Sequence, residues 1–84
     1  MIVVFVPDIP EFKIIVDGAR NIKGCKIIDP ISSYWRIESN DPMVFNRRKM
    51  NLGPALWNCL LSGGFIGEIS EFSRDTLVLQ PANI

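Results

Sequence analysis

The chain has 84 residues, nine basic and nine acidic side chains, 48% hydrophobic residues and no histidine. This length predicts one domain, residues 1–84, and the apolar content disfavours disorder. Zero net charge disfavours non-specific nucleic-acid binding and an electrostatic membrane anchor. The absence of histidine excludes Ser-His-Asp and Cys-His catalysis and the common histidine-containing metal sites.

The two cysteines and the N-terminal segment indicate in which cellular compartment the protein is expected. Cys25 and Cys59 do not follow a CxxC spacing, and a secreted chain of this size usually carries a denser cysteine framework. The first residues have no basic region before their short apolar run. We therefore expect a cytoplasmic protein with reduced, buried thiols, no cofactor, no metal and no membrane-spanning segment.

The N-terminal half begins with a run of β-formers at residues 2–6, which predicts a buried strand ending at Pro7. Residues 8–11 then resemble a helix start, with Asp8 as the cap. An apolar stripe at spacings of three and four predicts an amphipathic helix that ends at 21–24. Its members are Ile9, Phe12, Ile15, Val16, Ala19 and Ile22.

Alternation predicts the next strands. Residues 25–28 and 34–38 are expected to form a hairpin across 29–33, and residues 43–45 a further short strand. Residues 46–52, here called the basic loop, have no clear period.

A helix is predicted over 53–61, apolar nearly all round and therefore buried on more than one side. A final hairpin is predicted from residues 65–72 and 76–80, with a bulge or close packing at Gly67.

The order of elements predicts an α+β domain. The architecture expected is a two-layer sandwich, with two helices on one face of a mainly antiparallel sheet. The ferredoxin-like split βαβ arrangement is the nearest named pattern. It is an architecture and implies no function.

The basic loop is the best candidate site. Arg47 and Arg48 precede Gly53 and Pro54 at the predicted helix start, where free N–H groups attract anions. Arginine suits bidentate contacts to carboxylate or phosphate. The alternatives are an ordinary solvated basic loop and a nucleic-acid contact.

Two further groups of residues could form a pocket wall. Trp57 and Asn58 lie together on the second helix, where they are core residues, a subunit contact or part of a ligand site. Tyr34 and Arg36 share one strand face, which is either an ordinary polar face or the wall of a cleft. Glu68 and Glu71, three apart on a strand, should point to opposite faces and make a poor carboxylate pair.

Three functions remain open from the sequence, and none of them assigns a catalytic residue. The first is a protein-interaction or accessory module that works as a homo-oligomer or as a partner subunit. The second is a binding protein for a small organic anion, aromatic ones included, or a small isomerase or lyase, with its site near the basic loop. The third is a nucleic-acid binder, which neutral charge disfavours.

Overall fold

Seven strands and two short helices are present within residues 1–82, the part of the chain that the computed structural model describes. The first half contains β1 (Ile2–Pro7), α1 (Lys13–Ala19, after a 3₁₀ turn at Pro10–Phe12), β2 (Lys26–Ile31) and β3 (Tyr34–Ser39). The second half contains β4 (Met43–Asn46), α2 (Pro54–Asn58), β5 (Phe65–Ile66), β6 (Glu68–Phe72) and β7 (Thr76–Gln80). The predicted α+β class is confirmed.

The strands divide between two antiparallel sheets, whereas the sequence suggested one. The first sheet has the order β2-β3-β1-β5 and the second the order β4-β7-β6. The change of sheet occurs at Gly67, whose φ of 140° favours glycine. A Cβ added there would lie 2.9 Å from the carbonyl oxygen of Gln80. The segment predicted as one strand over 65–72 is thus two strands in different sheets.

The β2–β3 hairpin is tighter than predicted. β2 continues to Ile31, and Ser32 and Ser33 alone make the turn, both with positive φ. Two successive positive φ values are the geometry of a type I′ turn, which matches the twist of paired strands.

Helix α1 is shorter than the apolar stripe suggested, because the chain at Pro10–Phe12 forms a 3₁₀ turn. Asp8 does not cap it. Instead, the Asp8 carboxylate accepts a hydrogen bond of 3.0 Å from the indole Nε1 of Trp35. Gly18, unfavourable in a helix by itself, leaves room for Met50, whose side chain would lie 2.9 Å from an added Cβ.

Helix α2 has only five residues, and its apolar character does not bury it on all sides. Trp57 is buried, and so is Leu60 just beyond the helix, but Ala55 and Cys59 are exposed. The expectation of a helix covered on more than one side, and of a buried Cys59, is therefore wrong.

One continuous core joins both sheets and both helices. In the first sheet the core face consists of alternate residues of β1 and the β3 residues opposite them, with α1 packed against it. In the second sheet it consists of alternate residues of β4 and β7. The fully buried side chains include Ile2, Val4, Val6, Ile15, Val16, Ile37, Met43, Phe45, Leu60, Leu77 and Leu79.

Candidate functional site

A cleft of about 440 Å³ lies between α2 and the β6–β7 hairpin. Its volume is within the range usual for sites that hold small molecules. The cleft is lined by two arginines, two aromatic rings, a proline and two small polar residues: Arg47, Arg74, Trp57, Phe72, Pro54, Asn58 and Ser73.

The aromatic part of the cleft is rigid on one side and accessible on the other. Trp57 is only 3% exposed, and its indole Nε1 donates a hydrogen bond of 3.1 Å to the Ser73 carbonyl. The Phe72 ring meets the Trp57 ring edge to face, with centroids 5.8 Å apart. Because Phe72 is 46% exposed, its ring is available to a ligand.

Arg47 lines the cleft and joins two segments beside it through hydrogen bonds. Its Nε donates to the Asp75 carboxylate at 2.9 Å and to the Arg74 carbonyl at 3.2 Å, and its Nη1 donates to the Leu52 carbonyl at 3.2 Å. These acceptors come from the basic loop and from the turn before β7. The Arg47 guanidinium is therefore largely committed to holding the two segments together.

Positive charge exceeds negative charge at this end of the molecule. The hydrogen bond from Arg47 lowers the pKa of the Asp75 carboxyl below its usual value, against the opposing effect of desolvation. The charges of Arg47, Arg48 and Arg74 lower it further. Arg74 lines the cleft and makes no ion pair with any residue in 1–82, which leaves its guanidinium available.

The structure brings together three of the six residues that the sequence nominated. Arg47, Trp57 and Asn58 line the same cleft. Arg48 is a neighbour, 3.5 Å from Asp75, but its side chain is 72% exposed and outside the lining. Helix α2 is too short to supply the anion-attracting N-terminus that the sequence suggested.

Tyr34 and Arg36 lie elsewhere. Both are on β3 in the first sheet, and neither lines the cleft. Arg36 instead faces Glu38, with Nη2 3.4 Å from a carboxylate oxygen.

The residues that sequence reasoning missed are on the final hairpin. Phe72, Ser73 and Arg74 belong to a segment interpreted only as a strand end and a turn. The available signal was an arginine in a tight turn directly after an aromatic strand end. Its proximity to Trp57 depends on long-range packing, which no local pattern shows.

The geometry of β6 also corrects one expectation. A bulge at Ser70 shifts the register, so Glu68 pairs with Gln80 and Glu71 with Val78. Gln80 and Val78 are two apart on β7, so Glu68 and Glu71 share one face of the sheet. The prediction that they point to opposite faces is wrong.

A second opening, of about 540 Å³, lies between α1 and β4. Lys23 and Lys49 are at its rim, and Ile22, Val44 and Met50 contribute apolar surface. Its lining has no aromatic side chain and no arginine. The first cleft, which has both aromatic and arginine side chains, is therefore the better candidate for a specific ligand site.

The described residues include neither a metal-binding cluster nor a helix that could span a membrane. Residues 1–82 contain no group of three or more histidine, cysteine or carboxylate side chains placed to hold a metal ion. Neither helix in that part of the chain has the length and apolar character that a membrane crossing requires.

No family model, characterised protein or solved structure matches this chain.

Proposed function

We propose that the chain binds a small organic anion, a carboxylate or phosphate attached to a flat apolar group, in the cleft between α2 and the β6–β7 hairpin. The observation that supports this is the presence in one cleft of an exposed aromatic ring, Phe72, and an arginine, Arg74, that has no ion-pair partner among the described residues.

The two parts of such a ligand have separate contacts. The Arg74 guanidinium donates two parallel hydrogen bonds to the anionic group, and the Asn58 amide adds a neutral donor. The flat group packs on Phe72, with Trp57 and Pro54 beneath it. The Asp75 carboxylate forms its ion pairs with Arg47 and Arg48, and within residues 1–82 it forms none with Arg74.

Binding is favoured over an isomerase or lyase activity. The lining contains no carboxylate, cysteine or lysine that could transfer a proton or act as a nucleophile near neutral pH. The nucleic-acid hypothesis loses support as well, since Arg47 and Arg48 both face Asp75.

Thermal unfolding in the presence of phenyl phosphate and benzoate tests the proposal. Both probes at millimolar concentration should raise the unfolding temperature of the wild-type chain. Arg74→Ala should abolish the shift. Arg48→Ala is the matched control, because Arg48 also faces Asp75 but lies outside the cleft, and it should retain most of the shift.

Phe72→Leu separates the aromatic contact from the charge. It should reduce the shift with phenyl phosphate while inorganic phosphate, which has no ring, gives an equal shift in both proteins. No stabilisation of the wild type by either aromatic probe, or an unchanged shift in Arg74→Ala, would remove this site from consideration.

A protein-interaction or accessory role is the second candidate. It is supported by large apolar side chains that remain exposed, among them Ile31, Ile66, Ile69 and Phe72. A cytoplasmic location stays a prediction.

We also infer a ferredoxin-like arrangement for the first sheet. β1 and β2 are each antiparallel to β3 and lie on either side of it, so they run parallel with one strand between them. A split βαβ unit has this geometry, and α1 lies in the β1–β2 connection. The core contacts of Ile15 and Val16 support α1 as the covering layer on that sheet.

A further inference from the structure

The first sheet has a second face, opposite the core. The register places Val3 beside Glu38 and Ile66, and Phe5 beside Arg36. These residues alternate with those that face the core, so they point away from α1, and Val3 among them is only 8% exposed. We call this surface of β2, β3, β1 and β5 the outer face.

The outer face combines apolar and charged columns. On β3 it presents Tyr34, Arg36 and Glu38 in succession. On β2 the column is flanked by Lys26, opposite Glu38, and by Ile28, opposite Arg36; on β1 it is flanked by Val3 and Phe5. The most exposed apolar residues of this face are Ile31 on β2 at 59% and Ile66 on β5 at 51%. Large apolar side chains left exposed beside polar ones are characteristic of a protein contact.

Arg36 has hydrogen-bonding capacity that the single chain does not use. Its Nη2 lies 3.4 Å from Glu38, a long contact for a charged pair. Its Nε is buried and has no hydrogen-bond partner within residues 1–82. The buried Nε cannot be reached from outside the chain, but the side chain is 40% exposed, so the Nη1 and Nη2 donors that Glu38 does not take remain for another acceptor.

We propose that the outer face binds a second copy of this chain, forming a two-fold dimer in which Arg36 of each copy contacts Glu38 of the other. A two-fold axis lying between the two sheets, at right angles to β3 and midway between Arg36 and Glu38, gives this pairing. With this axis the two β3 strands run antiparallel to each other across the interface, and each Arg36 faces a Glu38 of the other copy.

Charge complementarity identifies the occupant as a second copy. An isologous interface must match itself, and adjacent positions of opposite sign on one strand do so under two-fold rotation. A face of a single sign would instead indicate a partner of opposite charge. The inference does not depend on the anion cleft, which is lined by other residues.

Sedimentation equilibrium from about 1 µM to about 1 mM protein tests the proposal. The wild type should be a dimer. Arg36→Glu and Glu38→Arg should each weaken the dimer at least ~10-fold, because each puts like charges opposite one another twice. An equimolar mixture of the two variants should form a heterodimer within a factor of ~3 of wild-type affinity.

The mixture distinguishes an interface from an effect inside one chain. Both variants lose the Arg36–Glu38 pair within the chain, and mixing cannot restore that pair. Ile66→Asp should also dissociate the dimer, whereas Val44→Asp, at a similarly exposed apolar position on β4 in the second sheet, should not. Circular dichroism checks that each variant is folded.

Three results would overturn the proposal: a wild type that stays monomeric up to the highest concentration, a folded Arg36→Glu variant that dimerises like the wild type, or a mixture no more associated than its components.

Discussion

Arg47 and Asp75, 28 residues apart, share two short contacts at a single oxygen. Nε and Nη2 of Arg47 lie 2.9 Å and 2.8 Å from Oδ1 of Asp75, and the Arg47 backbone N–H donates to the Asp75 carbonyl at 2.8 Å. This connects the basic loop to the turn before β7. It also fixes Arg74, the neighbour of Asp75, at the edge of the cleft.

The Asp75 carboxylate should make the unfolding free energy depend on pH in the acidic range. Its pKa is lower in the folded chain than in the unfolded chain, so its contribution is fully present above the unfolded pKa of about 3.9. The contribution is lost as the pH falls through the lower, folded pKa. Asp75→Asn should therefore flatten the fall in unfolding free energy between about pH 5 and pH 2.

Urea unfolding at a series of pH values measures this dependence. Asp29→Asn is the control, since Asp29 is an exposed carboxylate on β2 with no ion pair in the described chain, and it should keep the wild-type dependence. An equally steep loss of stability in Asp75→Asn and the wild type would contradict the prediction.

Arg47 and Arg48 should respond differently to the same substitution. Arg47→Lys should lower the unfolding free energy by about 1–3 kcal/mol, because one ammonium cannot reach Asp75, Leu52 and Arg74 together. Arg48→Lys should change it by less than about 0.5 kcal/mol, since Arg48 is exposed and its single contact is long. Chemical denaturation of both variants makes the comparison, and equal effects would refute it.

Local patterns predicted most of the elements. The β-former run of β1, the alternation of β3 and the apolar stripe of α1 each depend on neighbours within a few residues, and these elements are present. The apolar stripe predicted a longer α1 than the structure has, because Pro10 favours a 3₁₀ turn before the helix. Gly18 is unfavourable in a helix by itself, but Met50, distant in sequence, packs against it.

Long-range relationships were not predictable from these patterns. Gly67 was recognised as special, but only the tertiary structure shows that it passes the chain from one sheet to the other. Three of the six nominated residues line one cleft because Arg47 and α2 are close in sequence. Phe72 and Arg74 reach the same cleft through the pairing of β7 with β4, which no local pattern encodes.

The two cysteines should differ in reactivity. Burial raises the pKa of the Cys25 thiol, so less thiolate is present near neutral pH, and the side chain is only partly accessible. Cys59 is exposed at the end of α2. A disulfide reagent at pH 7.5 should therefore modify Cys59 first, and Cys59→Ser should leave only the slow phase. A fast phase that persists in Cys59→Ser would show that Cys25 is more accessible than the structure indicates.

Gly63 should be the glycine least tolerant of a side chain among those with ordinary backbone angles. A Cβ at Gly63 would overlap the carbonyl oxygen of Phe5 and lie 3.1 Å from Cδ of Pro7. Backbone cannot move aside there, because the Phe5 N–H donates to the Gly64 carbonyl at 3.0 Å and β1 is paired on both sides. Gly63→Ala should lower the unfolding free energy by about 1–3 kcal/mol.

Gly53 provides the matched control for that substitution. It lies before α2 with φ near −73°, and apart from its chain neighbours no residue in 1–82 has an atom within 4 Å of an added Cβ. Gly53→Ala should stay within about 1 kcal/mol of the wild type, since the loss of chain entropy in the unfolded state and the weaker helix cap oppose each other. Urea unfolding of both variants decides the matter. A Gly63→Ala protein as stable as Gly53→Ala would mean that the 62–64 segment does not lie against β1.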